Sequence, residues 1–271
     1  QLTNFYVLCK LWGVDPGFFC SMRGATFLGH SQGSVTALAL SGCSSMEDFF
    51  KSARSAITLL TRLGIRVQED YPITDGNSMM LVTGLEESSL REVVDPLDIP
   101  IVVQNTKTSF VLADYPNKLT EAAAKLGNVT GARAKFLPVK APFHSERHLN
   151  HIHRAISLDV RAFNIHFLSP TATVASGYTG KPVQLSYLDG TPDLDAIILD
   201  LLSRRVDWLM SSKTILGPST LVIDFGPGCI TKANLQENFE GLVVSLESFQ
   251  STKTLCKCDL FRAHLSTSIP K

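Results

Sequence analysis

Gly29-His30-Ser31-Gln32-Gly33 is the stretch that most constrains what this chain can become. It follows a short run, Gly24-Ala25-Thr26-Phe27-Leu28, and precedes Ser34-Val35-Thr36-Ala37-Leu38-Ala39-Leu40, whose unbroken small and apolar residues predict the start of a buried helix. A serine between two glycines at a strand-to-helix turn is a nucleophile elbow. The turn is too tight for a Cβ at the flanking positions, which is why glycines stand there. The Ser31 hydroxyl is then presented at the helix start. The Gln32 N–H points to where an oxyanion would form, with the helix N-terminus behind it. A glycine-rich turn into a core helix gives the same pentapeptide without chemistry, so the assignment needs a base.

That base must be a histidine within hydrogen-bond reach. Of the seven in the chain, His30 is next to the serine with its side chain directed away. His148, His151 and His153 fall on a polar helix and are expected in solvent. His148 and His151 share a face, as a metal pair would, but lack an acidic third ligand at matching spacing. His166 alternates with apolar residues and is expected to be structural, in a strand. His144 stands in the irregular segment Ala141-Pro142-Phe143-His144-Ser145, between a strand end and a helix start, where catalytic side chains are usually presented.

The rest of the chain predicts an α/β fold. Gln1–Trp12 is apolar at helical spacing and ends at Gly13. After the elbow helix, Ser44 or Ser45 caps a second helix whose apolar stripe ends at Gly64. From Met79 to Val139 the pattern is strand (79–83), helix (87–94), strands (99–103 and 110–112), helix (117–126) and strand (134–139). This β-α-β-β-α-β order is that of a ferredoxin-like unit. The division expected is 1–76 and 140–250 for the larger α/β body, 77–139 for the inserted subdomain and 251–271 for a linker or tail. Phe163–Phe167 and Thr171–Ala175 look extended, Leu194–Trp208 helical, and Thr220–Phe225 and Leu242–Leu246 are expected as strands.

Composition removes several function classes. Lysine plus arginine equals aspartate plus glutamate at 25 each, which gives no support for nucleic-acid or anionic-membrane binding. No apolar run reaches membrane-spanning length, and Lys10 interrupts the first one, which has no basic flank of a signal peptide. The six cysteines form no metal-binding spacing, and Cys256-Lys257-Cys258 has no companion pair; reduced thiols in the cytoplasm are expected.

The serine pentapeptide with Ser34-Val35-Thr36-Ala37 resembles the acyltransferase family that loads acyl carrier proteins. Within it, the likeness is greatest to the acetyltransferase domain of the fungal-type fatty acid synthase β subunit, then to starter-unit transacylase domains of fungal polyketide synthases. It runs on through Phe49-Phe50-Lys51-Ser52-Ala53-Arg54-Ser55-Ala56-Ile57-Thr58, Phe136-Leu137-Pro138-Val139-Lys140-Ala141-Pro142-Phe143-His144-Ser145 and Asp224-Phe225-Gly226-Pro227-Gly228. The resemblance implies an α/β-hydrolase-like parallel-sheet core around the ferredoxin-like insert. It implies that Ser31 is acylated, that His144 is its base, and that backbone carbonyls can orient the histidine in place of Asp224. It puts Asn105, in Asn105-Thr106-Lys107-Thr108, beside the loop that touches substrate, although that loop departs from the usual pattern.

Malonyl-loading members carry an arginine before a glycine in the helix after the elbow helix, where it pairs bidentately with the substrate carboxylate. Leu63-Gly64 stands there in this chain and suits an alkyl group; Arg62 is turned about 100° away. Two departures are plain. The family's first strand and its Gly-Gln-Gly loop are not in this sequence, and Cys229-Ile230-Thr231-Lys232 replaces the glycine-rich continuation after Gly-Pro-Gly.

The activity implied is transfer of an acyl group, acetyl foremost, from coenzyme A through acyl-Ser31 to the phosphopantetheine thiol of an acyl carrier protein. It needs no permanently bound cofactor. The partners implied are the carrier protein, acyl-coenzyme A and other domains or chains of a synthase, with no nucleic acid and no membrane. A polyketide starter-unit transacylase, an esterase with an acid placed between serine and histidine, and a structural domain with a defunct site are the alternatives.

Overall fold

A computed structural model gives the fold and describes residues 1–246 apart from 72–75, 184, 186, 189–190, 193, 219, 227–229 and 237–238. Phe5, Leu8 and Cys9 form the buried face of α1 (Leu2–Trp12), which ends at Gly13 in the left-handed conformation, φ 65°. Phe5 packs against Phe19 of the short α2 (Gly17–Ser21) and against Phe49 and Phe225, an aromatic cluster behind the elbow. β1 (Thr26–Leu28) leads into the elbow, and α3 (Gly33–Ser41) follows with every residue buried.

α4 (Met46–Asp70) starts at Ser45 in a capping box. The Ser45 hydroxyl accepts from Asp48 N–H, and the Asp48 carboxylate accepts from Ser45 N–H, an arrangement worth about 1 kcal/mol. The helix does not stop at Gly64. Its stripe continues from Leu59 and Leu63 to Val67, all buried, and Arg62 and Arg66 both bind the buried Asp159 carboxylate, so packing outweighs the weak helix propensity of one glycine.

The insert follows as β2 (Met79–Thr83), α5 (Glu87–Val94), β3 (Ile101–Thr106), β4 (Ser109–Ala113), α6 (Pro116–Leu126) and β5 (Arg133–Phe136). The strands pair antiparallel in the order β5-β2-β4-β3, the ferredoxin-like arrangement. Met80, Val82, Phe110 and Leu112 face the two helices. Met79, Val103, Val111 and Ala113 face the other way, toward Trp208. The sheet is therefore buried on both sides. Its edge β5 is exposed throughout and stops at Phe136, short of the expected Val139.

The chain continues through α7 (Glu146–Leu149), a 3₁₀ turn (Asn150–Ile152), α8 (His153–Ala162), β6 (Thr173–Ala175), the short pair β7 (Tyr187–Leu188) and β8 (Thr191–Pro192), and α9 (Asp195–Leu202). It ends with β9 (Val206–Asp207), α10 (Trp208–Ile215), β10 (Leu221–Asp224), α11 (Ile230–Gln236) and β11 (Leu242–Ser245). β1 pairs parallel with β6, and β10 parallel with β11. The largest core cluster lies between α3, α4, α8 and α9.

Two of these expected elements differ, and a third is not described. Leu194–Trp208 is not one helix: α9 ends at Leu202, and Val206-Asp207 add to the insert's sheet beside Val103-Gln104, because the buried Val206 and Trp208 pack better on that sheet than on a helix face. Phe163–Phe167 forms no strand, and His166 is exposed with Nδ1 3.1 Å from the Asn164 carbonyl. The expected tail, and with it Cys256-Lys257-Cys258, lies outside the described residues, as do Cys229, Pro227 and Gly228. No described helix is long and apolar enough to cross a membrane.

Candidate active site

The tightness of the elbow can be measured at Gly29. A Cβ there would sit 2.0 Å from the Gly33 carbonyl carbon and 2.1 Å from Ser34 N, so only glycine fits. The turn closes through Gly33 N–H to the His30 carbonyl (2.9 Å) and Ser34 N–H to the Ser31 carbonyl (2.8 Å). The Ser34 hydroxyl adds a bond to the Gly29 carbonyl at 3.0 Å. Ser31 itself sits at φ 54°, in the left-handed region that non-glycine residues seldom occupy. Gln32 is the N-cap of α3, which places its N–H at the positive end of the helix.

His144 meets Ser31 across 113 residues of sequence. Its Nε2 is 2.7 Å from the serine Oγ, and its Nδ1 is 2.9 Å from the Asp200 carbonyl. A carbonyl can only accept, so Nδ1 carries the proton and Nε2 is left to accept from the serine hydroxyl. His144 is also at positive φ, 63°, so both members of the pair are held in strained backbone; such strain persists where the surroundings over-determine it, as functional sites do. Burial pushes the His144 pKa down to about 4, with the nearby His30 adding to the effect and the Asp200 and Arg204 carbonyls opposing it. At neutral pH the imidazole is therefore an uncharged base.

His30 is turned away from the serine. Its Nε2 donates to Asn105 Oδ1 at 2.9 Å, and its ring stands edge-on to Trp208 at 5.2 Å. Asn105, expected near substrate, thus has its side-chain oxygen engaged by the elbow. A cavity of about 1270 Å³ opens beside His144 and Ser145, walled by Arg147, Tyr178, Arg204 and Arg205. A second, of about 570 Å³, is lined by Gly29, His30 and Gly33 of the elbow and by residues of β1 and β10.

A family model described as "Starter unit:ACP transacylase in aflatoxin biosynthesis" matches residues 14–144. Fatty acid synthase subunit beta of Saccharomyces cerevisiae is 28% identical over 277 residues, covering 84% of this chain and 13% of that protein. Fatty acid synthase beta subunit aflB of Emericella nidulans is 28% identical over 265 residues, covering 84% of this chain and 12% of that protein. The likeness is thus to a starter-unit transacylase family and to fatty acid synthase β subunits, the relatives that the motifs of this chain imply. The chain's fold is seen again in the malonyl-CoA:acyl carrier protein transacylase of Helicobacter pylori, with a TM-score of 0.72 at 18% identity over 94% of this chain and 77% of the other. The chain spans only about an eighth of the fatty acid synthase subunits it matches.

Within this fold the other expected site residues fall as follows. Leu63 is buried in the main core cluster with Val35, Leu38 and Leu149 and lines neither of these two cavities. Arg62 does face elsewhere, onto Asp159 and over the Phe163 ring. Asp224 ends β10, buried, and its Oδ1 accepts from Gly226 N–H, while the histidine is oriented by Asp200. His148 corrects an expectation: it is buried and not solvated, edge-on to Tyr71 and Tyr115, with Nε2 3.6 Å from Asp114. No group of metal-binding residues is found among the described residues. Sequence reasoning missed Asp200 because its carbonyl does the work, and a carbonyl leaves no side-chain signal.

Proposed function

We propose that this domain is an acyl carrier protein S-acyltransferase working through an acyl-serine, with acetyl the acyl group favoured. The observation that carries this reading is the relay from Ser31 Oγ through neutral His144 to the Asp200 carbonyl. In the first half-reaction His144 Nε2 takes the Ser31 proton as Oγ attacks the thioester carbonyl of acyl-coenzyme A. The oxyanion forms beside the Gln32 N–H, then collapses, and the thiolate leaves with the proton from His144. In the second, His144 deprotonates the phosphopantetheine thiol of the carrier protein, the sulfur attacks the acyl-serine carbonyl, and as the C–Oγ bond breaks His144 returns the proton to Ser31 Oγ. The sulfur, acyl group and proton balance in each half, so no resident cofactor is called for. The cavity of about 1270 Å³ reaching His144 suits the long pantetheine arm shared by both thioesters.

A polyketide starter-unit transacylase is the second reading, favoured by the description of the family model over residues 14–144. Both readings put the domain among other domains of a synthase, in a soluble setting. Intact-mass measurement after incubation with a panel of acyl-coenzyme A thioesters separates them by chain length. Acetyl addition that disappears in Ser31→Ala supports the first; addition of longer acyl groups alone supports the second; no addition by any thioester overturns both.

A further inference from the structure

Both histidines of the site hang from one stretch of chain, Asp200 to Trp208. Asp200 and Leu202 give their carbonyls to His144 Nδ1 (2.9 Å) and to Ser145 N–H (3.1 Å). Trp208 gives its ring to His30. Between them the backbone has little to hold it. α9 ends as Ser203 and Arg204 N–H both turn to the Leu199 carbonyl, and β9 pairs with β3 over two residues only, Val103↔Val206 and Gln104↔Asp207.

One side chain fastens this stretch to the insert. The Arg205 guanidinium binds both Glu87 oxygens at 2.9 Å each, at the start of α5, and Gln104 Oε1 on β3 at 2.8 Å. Glu87 is itself fixed by Arg91 at 2.6 Å, and its carboxyl is held at about 2, first by Arg205. The next residue on β3 after Gln104 is Asn105, the partner of His30. The planar fork of arginine is what lets three acceptors on two elements share one cation; lysine, a point charge, cannot reproduce it.

We propose that Arg205 is a positioning residue for His144: its clamp on Glu87 and Gln104 sets where the Asp200 carbonyl stands and so holds the base against Ser31. The proposal rests on reading Ser31 and His144 as the reacting pair. It adds that the insert, through its β3 edge and the first turn of α5, acts on the chemistry without touching the reacting atoms.

The test uses Arg205→Gln, Arg205→Lys, Glu87→Gln and the double variant Arg205→Gln/Glu87→Gln. Three quantities are read: acylation kcat and KM with acyl-coenzyme A, the rate of Ser31 labelling by a fluorophosphonate against pH, and the melting temperature. Arg205→Gln is expected to lower kcat and the labelling rate about 10- to 100-fold, the scale of a small misplacement of a reacting group; because Arg205 also walls the cavity beside His144, the labelling rate, which needs no pantetheine arm, decides its effect on the base. The acid-side midpoint of the labelling curve is expected to rise above about 4, because a loosened anchor admits water to His144. Arg205→Lys should recover only a small part of the rate, Glu87→Gln should resemble Arg205→Gln, and the double variant should be no worse than either. An unchanged rate and midpoint, or a loss of rate matched by the loss of folded protein at the assay temperature, overturns the proposal. If no thioester acylates the unmodified protein, the transferase reading fails, while the labelling rates still decide the role of Arg205. Absence of labelling at Ser31 in the unmodified protein overturns both.

Discussion

His144 Nδ1 lies 2.9 Å from the carbonyl oxygen of Asp200, so the main chain, and not a carboxylate, orients the base. The Asp200 side chain points to Arg204 instead, at 2.9 Å, in an ion pair whose arginine is half exposed. In a serine–histidine–aspartate triad, replacing the aspartate by asparagine lowers kcat about 10⁴-fold because the histidine takes the wrong tautomer. Asp200→Asn should behave otherwise. The carbonyl stays, the tautomer stays, and the acylation rate should remain within about threefold of the parent, since the largely buried carboxylate is paired with Arg204 and not with the imidazole. A loss of a thousandfold or more, read by stopped-time mass spectrometry, would show that the carboxylate is part of the relay.

The depressed His144 pKa fixes the direction of two pH effects. Acylation and labelling should be level from neutral pH down to about 5 and fall with a midpoint near 4, where the base becomes protonated. Stability follows the same group. The folded state binds this proton near 4 and the unfolded chain near the ordinary histidine value of about 6.5. Between the two, the unfolded state holds more protons, so stability rises with pH through this window and is lost as pH falls through it. The size is about 3 kcal/mol from this residue. Denaturant titrations of the parent and of His144→Gln between pH 4 and 7 check it: the glutamine variant should lack that part of the slope.

Gly29 gives a prediction on packing. The added methyl of Gly29→Ala would stand 2.0 to 2.1 Å from backbone atoms of Gly33 and Ser34, none of which can rotate away. The turn must open, at a cost of about 3 kcal/mol or more for an overpacked backbone site. Ser31 labelling should be lost together with this stability, whereas Ser31→Ala should lose labelling and keep the melting temperature to within a few degrees. A well-folded, fully reactive Gly29→Ala protein would mean that the elbow is looser than its contacts show.

The elbow, the pairing of Ser31 with His144 and the βαββαβ order were legible because each is written in side chains: glycine where a Cβ cannot fit, a histidine in an irregular segment, alternation of Met79–Thr83 against the helical spacing of Leu90 and Val94. What escaped was decided by neighbours distant in sequence. Val206 fits a helix stripe as well as a strand, and only the β3 edge beside it settles the choice. His148 looks polar on a polar helix, and its burial depends on Tyr71 and Tyr115 arriving from other elements. Gly64 looks like a stop, yet Arg66, two residues further along the helix, finds Asp159 across 93 positions. Long-range partners of this kind have no local signature.

Donor selectivity returns to Leu63. A free carboxylate placed in an acyltransferase site without a cation loses its hydration unrepaid, a cost of several kcal/mol. Arg62, the adjacent cation, is committed to Asp159 at 3.1 Å and stacked over Phe163, so it is not free to serve. Malonyl-coenzyme A should therefore be a poor donor beside acetyl-coenzyme A. Leu63→Arg tests the position directly, but its side chain starts inside the main core cluster. The guanidinium must extend to a polar surface or lie buried unpaired, and either route lowers stability, by about 3 kcal/mol if it stays buried. The measurement is thus a ratio taken on the folded protein: acyl-Ser31 formed from an equimolar malonyl and acetyl mixture, which reports relative kcat/KM independently of the amount of active protein. A low malonyl-to-acetyl ratio in the parent is the expected outcome, and Leu63→Arg raises it only where the guanidinium leaves the core for the site, since Leu63 lines neither cavity. Efficient malonyl loading by the parent would remove the carboxylate argument. An unchanged ratio in a folded Leu63→Arg protein would show that its side chain stays in the core, where the parent leucine sits, and that selectivity is set by other residues around Ser31.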